Sequence, residues 1–280
     1  MNPDLNPIPA IFVSHGTPML ALADPEEDGF LRSLRAFSAG LEGLKAVVAV
    51  SAHGISQGSG VQITAGRAHT QLFDFVGFPG ALYNVEYSPP GDPALAARIA
   101  ALLADQGFAA ELSTELRLDH GVWIPLRTMF PGANVPVVQV SLPLEGGPAA
   151  VLRLGKALAP LRGEGVQLMG SGGAVHNLGK IVWHQKDSPG PEWARDFELW
   201  LEKMLAAKDV ESLVEFETLG PQVRIAHPSA EHLFPIFFTL GAAWPGEVAV
   251  PIFRGIQYEA LSMYSFALLP QAMPVPAAEA

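Results

Sequence analysis

Two apolar runs near the start of the chain end in the same dipeptide, His-Gly, with an amphipathic segment between them. The first is AIFVSHG over residues 10–16 and the second is AVVAVSAHG over residues 46–54. Between them Phe30, Leu34, Phe37 and Leu41 recur at helical spacing. The preceding DPEEDG offers Asp24 as an N-cap, Pro25 at the first helical position and Glu27 to close a capping box. Unbroken apolar runs of this length read as strands buried on both faces. Strand, helix and strand then make a βαβ unit, which is normally parallel and right-handed. A parallel sheet needs helices over both faces, and its ligands bind beyond the carboxyl ends of the strands. His15 and His53 are therefore expected on one functional edge.

The remaining pattern continues this alternation. GVQITAG (60–66), VPVVQVSL (135–142) and GVQLMGSGG (165–173) read as strands. DPALAARIAALLADQG (92–107) is a helix with an Asp-Pro start and a glycine stop. Further helices are expected around 148–160 and over PEWARDFELWLEKMLAAK (191–208). Ser229 is placed to cap another through AEHLFPIFFTLGAA (230–243), bent at Pro235, and segments 247–254 and 261–268 read as strands closing the sheet. No linker or charge run divides the chain. The expected fold is α/β: a single-domain sandwich over residues 1–280, with a largely parallel or mixed central sheet flanked by helices. Its ordered core should run from about 10 to 269, between the Pro-rich tails MNPDLNPIP and PQAMPVPAAEA.

A formal net charge of −11 argues against nucleic-acid or anionic-membrane partners, which require basic patches. No apolar stretch is long enough to span a bilayer, and no signal-peptide pattern opens the chain, so a cytoplasmic location is expected. Cysteine is absent. Any metal must then be held by nitrogen or oxygen.

Eight histidines are present. His15 and His53 end strands, His176 follows the strand-plus-glycine stretch LMGSGGAVHN, His120 precedes a helix in LDHGVW, and His232 lies in the first turn of another. Those five suggest a cluster on the catalytic edge, whereas His69 and His184 read as surface residues. Imidazole sites without thiolates suit Zn(II) or non-haem Fe(II). GSGGAV has Val175 where a dinucleotide loop needs its third glycine, so a turn requiring flexible backbone is the better reading. Without a Gly-x-Ser-x-Gly elbow, Ser171 is a poor candidate nucleophile. Aromatic residues in FELW and FPIFF have core-like spacing.

The strings SHGTPML, SAHG, FDFVGFPGALYNVEY, DHGVWIPL, LAPLRGEGVQLMGSGGAVHNL, AHPSAEHLFP and LSM run in order from residue 14 to 263. In this ordered combination the chain resembles the LigB-type extradiol ring-cleavage dioxygenases, particularly their 4,5-DOPA extradiol dioxygenase-like branch. The resemblance implies ring opening of a catecholic small molecule with dioxygen, by Fe(II) in a site that Zn(II) can also occupy. It assigns His15, His53 and His232 as metal ligands, His176 as the acid/base and His120 as a substrate-contacting or supporting histidine. Glu231 is the reserve third ligand, because the protocatechuate branch uses a glutamate. Where many relatives carry Trp, this chain has Gly54, and a wider pocket is expected. FDFVGFPGALY should supply an apolar wall. A non-catalytic metal scaffold of the same fold and a cytoplasmic metal chelatase are the alternative readings, and self-association into a homo-oligomer stays open.

Overall fold

The computed structural model describes residues 7–56, 58 and 60–271. Its strands are β1 (Ile11–Ser14), β2 (Ala46–Ile55), β3 (Val61–Thr64), β4 (Ala110–Ser113), β5 (Val137–Leu142), β6 (Val166–Gly172), β7 (Asp187–Ser188), β8 (Glu247–Phe253), β9 (Ile256–Gln257), β10 (Leu261–Ser262) and β11 (Ser265–Pro270). The main helices are α1 (Gly29–Ala39), α2 (Pro93–Ala104), α3 (His120–Met129), α4 (Gly147–Leu158) and α5 (Glu192–Ala207). Three short ones, α6 (Val210–Val214), α7 (Phe216–Leu219) and α8 (Val223–Ala226), lead to α9 (Pro235–Gly241).

One eight-stranded sheet has the order β4-β3-β5-β2-β6-β1-β11-β8. Its centre, β5-β2-β6-β1, is parallel throughout, while β11 and β8 add antiparallel strands at one side and β3 pairs antiparallel with β5 at the other. The expected α/β sandwich with a mixed sheet is thus present. Segment 247–254 completes it as β8, whereas 261–268 divides: Leu261–Ser262 pair with β9 in a separate three-stranded sheet, and only the part from Ser265 joins the main sheet, as β11. The central strands are buried on both faces with period two. Phe12, Val48 and Val50 join the core that includes residues of α2, α4, α5 and α9, whereas Ile11, Val13, Val47 and Ala49 join the core beside α1 and α3.

Register decides where the strands stop. Ser14 pairs with Gly172 and Ser51 pairs with Ser171, so the carboxyl ends of β1, β2 and β6 lie level. The glycines of the GSGG stretch belong to this edge rather than to a turn. A Cβ on Gly170 would run into the carbonyl of Pro235, and one on Gly172 into the carbonyl of His232. Bare backbone on β6 is what lets the segment carrying His232 approach, sealed by the amide of Gly173 donating to His232 O at 2.8 Å.

Several local expectations are displaced. Helix α1 starts at Gly29, because Asp28 is the N-cap accepting from the amides of Phe30 and Leu31. Asp24 instead organises the preceding turn through the amide of Glu26, and Leu41 lies beyond the helix. Ser229 caps no helix: its hydroxyl donates to Glu231 Oε1 at 2.9 Å. Pro235 opens α9 rather than bending it, since the missing N–H costs nothing at a first helical position. His69 is buried at 3 % exposure, with Nε2 donating to Val137 O at 2.8 Å, and is not a surface residue; His184 is exposed as expected. The expected amino-terminal tail is shorter than its composition suggests, because Ile8 is buried and its carbonyl accepts from Arg162 Nε at 2.7 Å. Residues 1–6 and 272–280 of the two expected tails lie outside the described residues. Among the described residues no helix is long and apolar enough to cross a membrane.

Glu198 of α5 is largely buried and accepts a hydrogen bond from Ser262 Oγ on β10. Burial pushes its carboxyl up to about 7, with repulsion from Glu202 adding and the Ser262 bond and Arg254 opposing. A group raised in the fold stabilises it below the unfolded pKa, and that contribution is lost as pH rises through the folded value. Glu198→Gln should therefore gain stability over the parent from pH 5 to pH 8, by on the order of 2 kcal/mol. Urea denaturation at the two pH values tests this, and an unchanged difference would remove Glu198 as the titrating group.

Candidate metal centre

At the level strand ends, His15 leaves β1 as β2 presents His53. The two His-Gly pairs have different reasons for their glycine. Gly16 holds φ +63°, turning the chain sharply after His15. At Gly54 the constraint is space: an added Cβ would strike Gln139 Nε2 and lie 3.1 Å from Asp119 Oδ2.

The Nε2 atoms of His15 and His232 lie 3.2 and 3.3 Å from His53 Nε2. Ligand nitrogens of the three all fall within 4.8 Å of one another. The tautomers follow from what holds the opposite ring nitrogens. Ser171 Oγ donates to Gly121 O, so it accepts from His15 Nδ1 at 3.1 Å. His232 Nδ1 donates to Glu231 Oε1 at 3.0 Å. Both rings thus turn a bare Nε2 lone pair toward His53. Facing lone pairs repel, and a divalent cation between them would relieve that repulsion. Anchoring the outer ring nitrogen to a hydroxyl or carboxylate is also how metal-binding imidazoles are commonly oriented.

Electrostatics point the same way. Burial, and then the neighbouring imidazoles, hold His15 well below its usual range. His53 is lowered to about 3 by burial, then by His120 and His232, against Asp74 and Glu231. Burial lowers His232 despite Glu231, and the hydrogen bond from His232 brings Glu231 down to about 2. The pair is therefore a neutral imidazole donating to a carboxylate. Glu231, the reserve ligand, turns its Oε1 to His232 Nδ1 and Ser229.

His120 starts α3 after the N-cap Asp119, and its ring centroid lies 4.0 Å from that of His53. Asp74 Oδ1 accepts from both the backbone amide of His120 (3.1 Å) and its Nδ1 (2.9 Å), while Oδ2 stands 3.6 Å from His53 Nδ1. Burial opposes ionisation of Asp74, but those hydrogen bonds hold its carboxyl below the usual range. His176 stacks on His232 with ring centroids 3.4 Å apart and planes 5° from parallel. The five histidines expected on one edge are thus brought together. They form the floor of a cleft of about 350 Å³ whose walls include Phe75, Val76, Phe78 and Trp183. The segment expected to form an apolar wall supplies three of these.

Asp74 escaped the sequence reading because it sits inside that aromatic stretch; an acid amid apolar wall residues was the available signal. Ser171 and Glu231 orient imidazoles, a role that shows only in their hydrogen bonds to His15 and His232. Gly54 does not line the cleft, which corrects the expectation of a wider pocket there. Its missing side chain would enter the Gln139–Asp119 pair, and Asp119 also accepts from Ser51 Oγ at 2.7 Å and caps α3. Gly54→Trp is accordingly expected to cost about 1–3 kcal/mol through overpacking and to weaken metal retention. Thermal melts and metal analysis measure both. An intact fold with a KM raised only for bulky substrates would place position 54 in the cleft after all.

An imidazole trio that could hold a metal ion, under an apolar cleft at the carboxyl edge of parallel strands, is the build of a ligand site in an open α/β sheet. The family model described as the catalytic LigB subunit of aromatic ring-opening dioxygenase matches residues 9–263, and the chain belongs to that family of aromatic ring-opening dioxygenases. A relative from Beta vulgaris named 4,5-DOPA dioxygenase extradiol is 40% identical over 236 residues, covering 83% of this chain and 85% of that protein. One of the same name from Escherichia coli is 38% identical over 263 residues, covering 92% and 93%. A crystal structure of an uncharacterized Escherichia coli protein superposes with a TM-score of 0.76 at 33% identity, covering 93% of this chain and 99% of that one.

Proposed function

We propose that this chain is a non-haem Fe(II)-dependent extradiol dioxygenase, with His15, His53 and His232 as the metal ligands. The observation that carries the reading is the convergence of three Nε2 atoms, two of them with their tautomers set by Ser171 and Glu231, beneath an apolar cleft. Bound there, Fe(II) would bring a catechol and dioxygen onto one centre and let charge pass between them. The ring carbon–carbon bond beside the diol breaks, both oxygen atoms of O2 enter the product, and a semialdehyde acid results.

The chain's own groups handle position and protons. His176 lines the cleft as a neutral imidazole, lowered to about 2 by burial and then by His232. That environment disfavours its protonated form, so its part in taking a phenolic proton and returning one later relies on the negative charge that the deprotonating diol places beside it. His120, its Nδ1 committed to Asp74, presents its other nitrogen for a substrate oxygen. The aromatic walls exclude water and hold the ring.

The test is anaerobic reconstitution with Fe(II), addition of a catechol panel, and admission of oxygen. Equimolar oxygen uptake and a coloured semialdehyde are expected. The Zn(II) form should bind catechol and remain inactive, since zinc has no redox chemistry. Ring cleavage by rigorously iron-free zinc protein would defeat the mechanism, and metal binding without oxygen uptake would indicate a scaffold.

A further inference from the structure

Above the histidine floor, the cleft mouth is built from two chain segments that meet edge to face. Phe78 from one and Trp183 from the other stand with ring centroids 6.1 Å apart at 82°. Trp183 is propped from behind by Tyr258, 5.2 Å away. Beside them Val76 is 88% exposed, Leu178 64% and Trp183 55%. Large apolar side chains left open to water at one place mark a surface that an apolar partner covers. Here that place is the rim of the cleft, since all three residues line it.

Charge around the cleft is one-sided. Among the described residues its lining contains no lysine or arginine, and its one carboxylate, Asp74, has Oδ1 engaged by His120 and Oδ2 turned to His53. Glu231 adds a second negative charge behind His232. Of the nearby cations, Lys186 is paired with Asp28 at 2.7 Å, and Lys180 lies on an exposed turn outside the lining. A carboxylate carried to this rim would give up water against Val76, Phe78 and Leu178 and would meet no lysine or arginine in the lining.

We infer that the substrate class is a neutral catechol carrying an apolar substituent, seated between Val76, Phe78, Leu178 and Trp183, in place of a catechol bearing an amino-acid side chain. This rests on the extradiol reading above. The diol goes to the histidine floor and the substituent points to the rim, where the exposed apolar groups become covered.

Isothermal titration of the Zn(II)-loaded full chain reads binding without turnover. Plain catechol, 4-tert-butylcatechol, 3,4-dihydroxybenzoate and L-DOPA are the probes. The expectation is at least tenfold tighter binding of 4-tert-butylcatechol than of either carboxylated catechol. Trp183→Ala should cost 4-tert-butylcatechol at least fivefold more affinity than it costs plain catechol. Val76→Arg, a change at an exposed position, should improve 3,4-dihydroxybenzoate at least fivefold by supplying the missing cation. L-DOPA or 3,4-dihydroxybenzoate binding as well as 4-tert-butylcatechol would overturn the substrate class. Equal losses for both neutral probes in Trp183→Ala would overturn the seat at the rim. If even plain catechol fails to bind, the extradiol reading falls and takes this inference with it; plain catechol binding normally while the ranking fails would sink the inference alone.

Discussion

His15→Ala, His53→Ala and His232→Ala should each purify with metal content reduced from one equivalent to a small fraction, while far-ultraviolet circular dichroism stays native. The Nε2 atoms of His15 and His232 lie 3.2 and 3.3 Å from that of His53, so removing any one leaves a two-nitrogen site. The loss should exceed the roughly 10–100-fold drop in metal affinity that follows removal of a group orienting a ligand. Ser171→Ala and Glu231→Gln belong to that milder class, because each loosens an imidazole without deleting it. Competition with a chromophoric chelator ranks the variants. A different order, with Glu231→Ala empty and His232→Ala full, would make the glutamate the third ligand and the imidazole its support.

Second in size is the effect at His176. His176→Ala should keep near-parental iron, bind catechol, and turn over roughly a hundredfold or more slowly, the usual contribution of a positioned acid/base group. The ring lies flat against His232 and lines the cleft, a place from which it would meet a bound catechol without joining the converging trio. A nitrocatechol, which enters already deprotonated, should bind nearly as well to the variant as to the parent. Iron lost in step with activity would instead make His176 a ligand and reopen the assignment of His232.

Much of this was legible in the chain itself because it depends on local chemistry. Period and apolarity are enough to place β1, β2, β5 and β6, and parallel βαβ connection then puts strand-end residues on one edge. Composition alone removes thiolates, leaving imidazole to hold a metal. Local pattern loses its hold where a neighbour in space overrides a neighbour in sequence. Asp24 and Asp28 are both competent caps, and the choice fell to Asp28, whose other oxygen meets Lys186 at 2.7 Å. His69 has no local pattern, and only the fold sets its ring against the carbonyl of Val137.

An α/β sheet, a histidine-bearing carboxyl edge and a site limited to nitrogen and oxygen donors follow from side-chain period and donor type, which the residues carry before any folding. How those histidines differ from one another depends on contacts made in the folded molecule. Ser171 for His15 and Asp74 for His120, both distant in the chain, and Glu231 for its neighbour His232 select which ring nitrogen keeps its proton. A tautomer is fixed by the partner within hydrogen-bond reach, and most of those partners arrive only when β1, β2 and β6 end level and bare glycine backbone lets the His232 segment close over them.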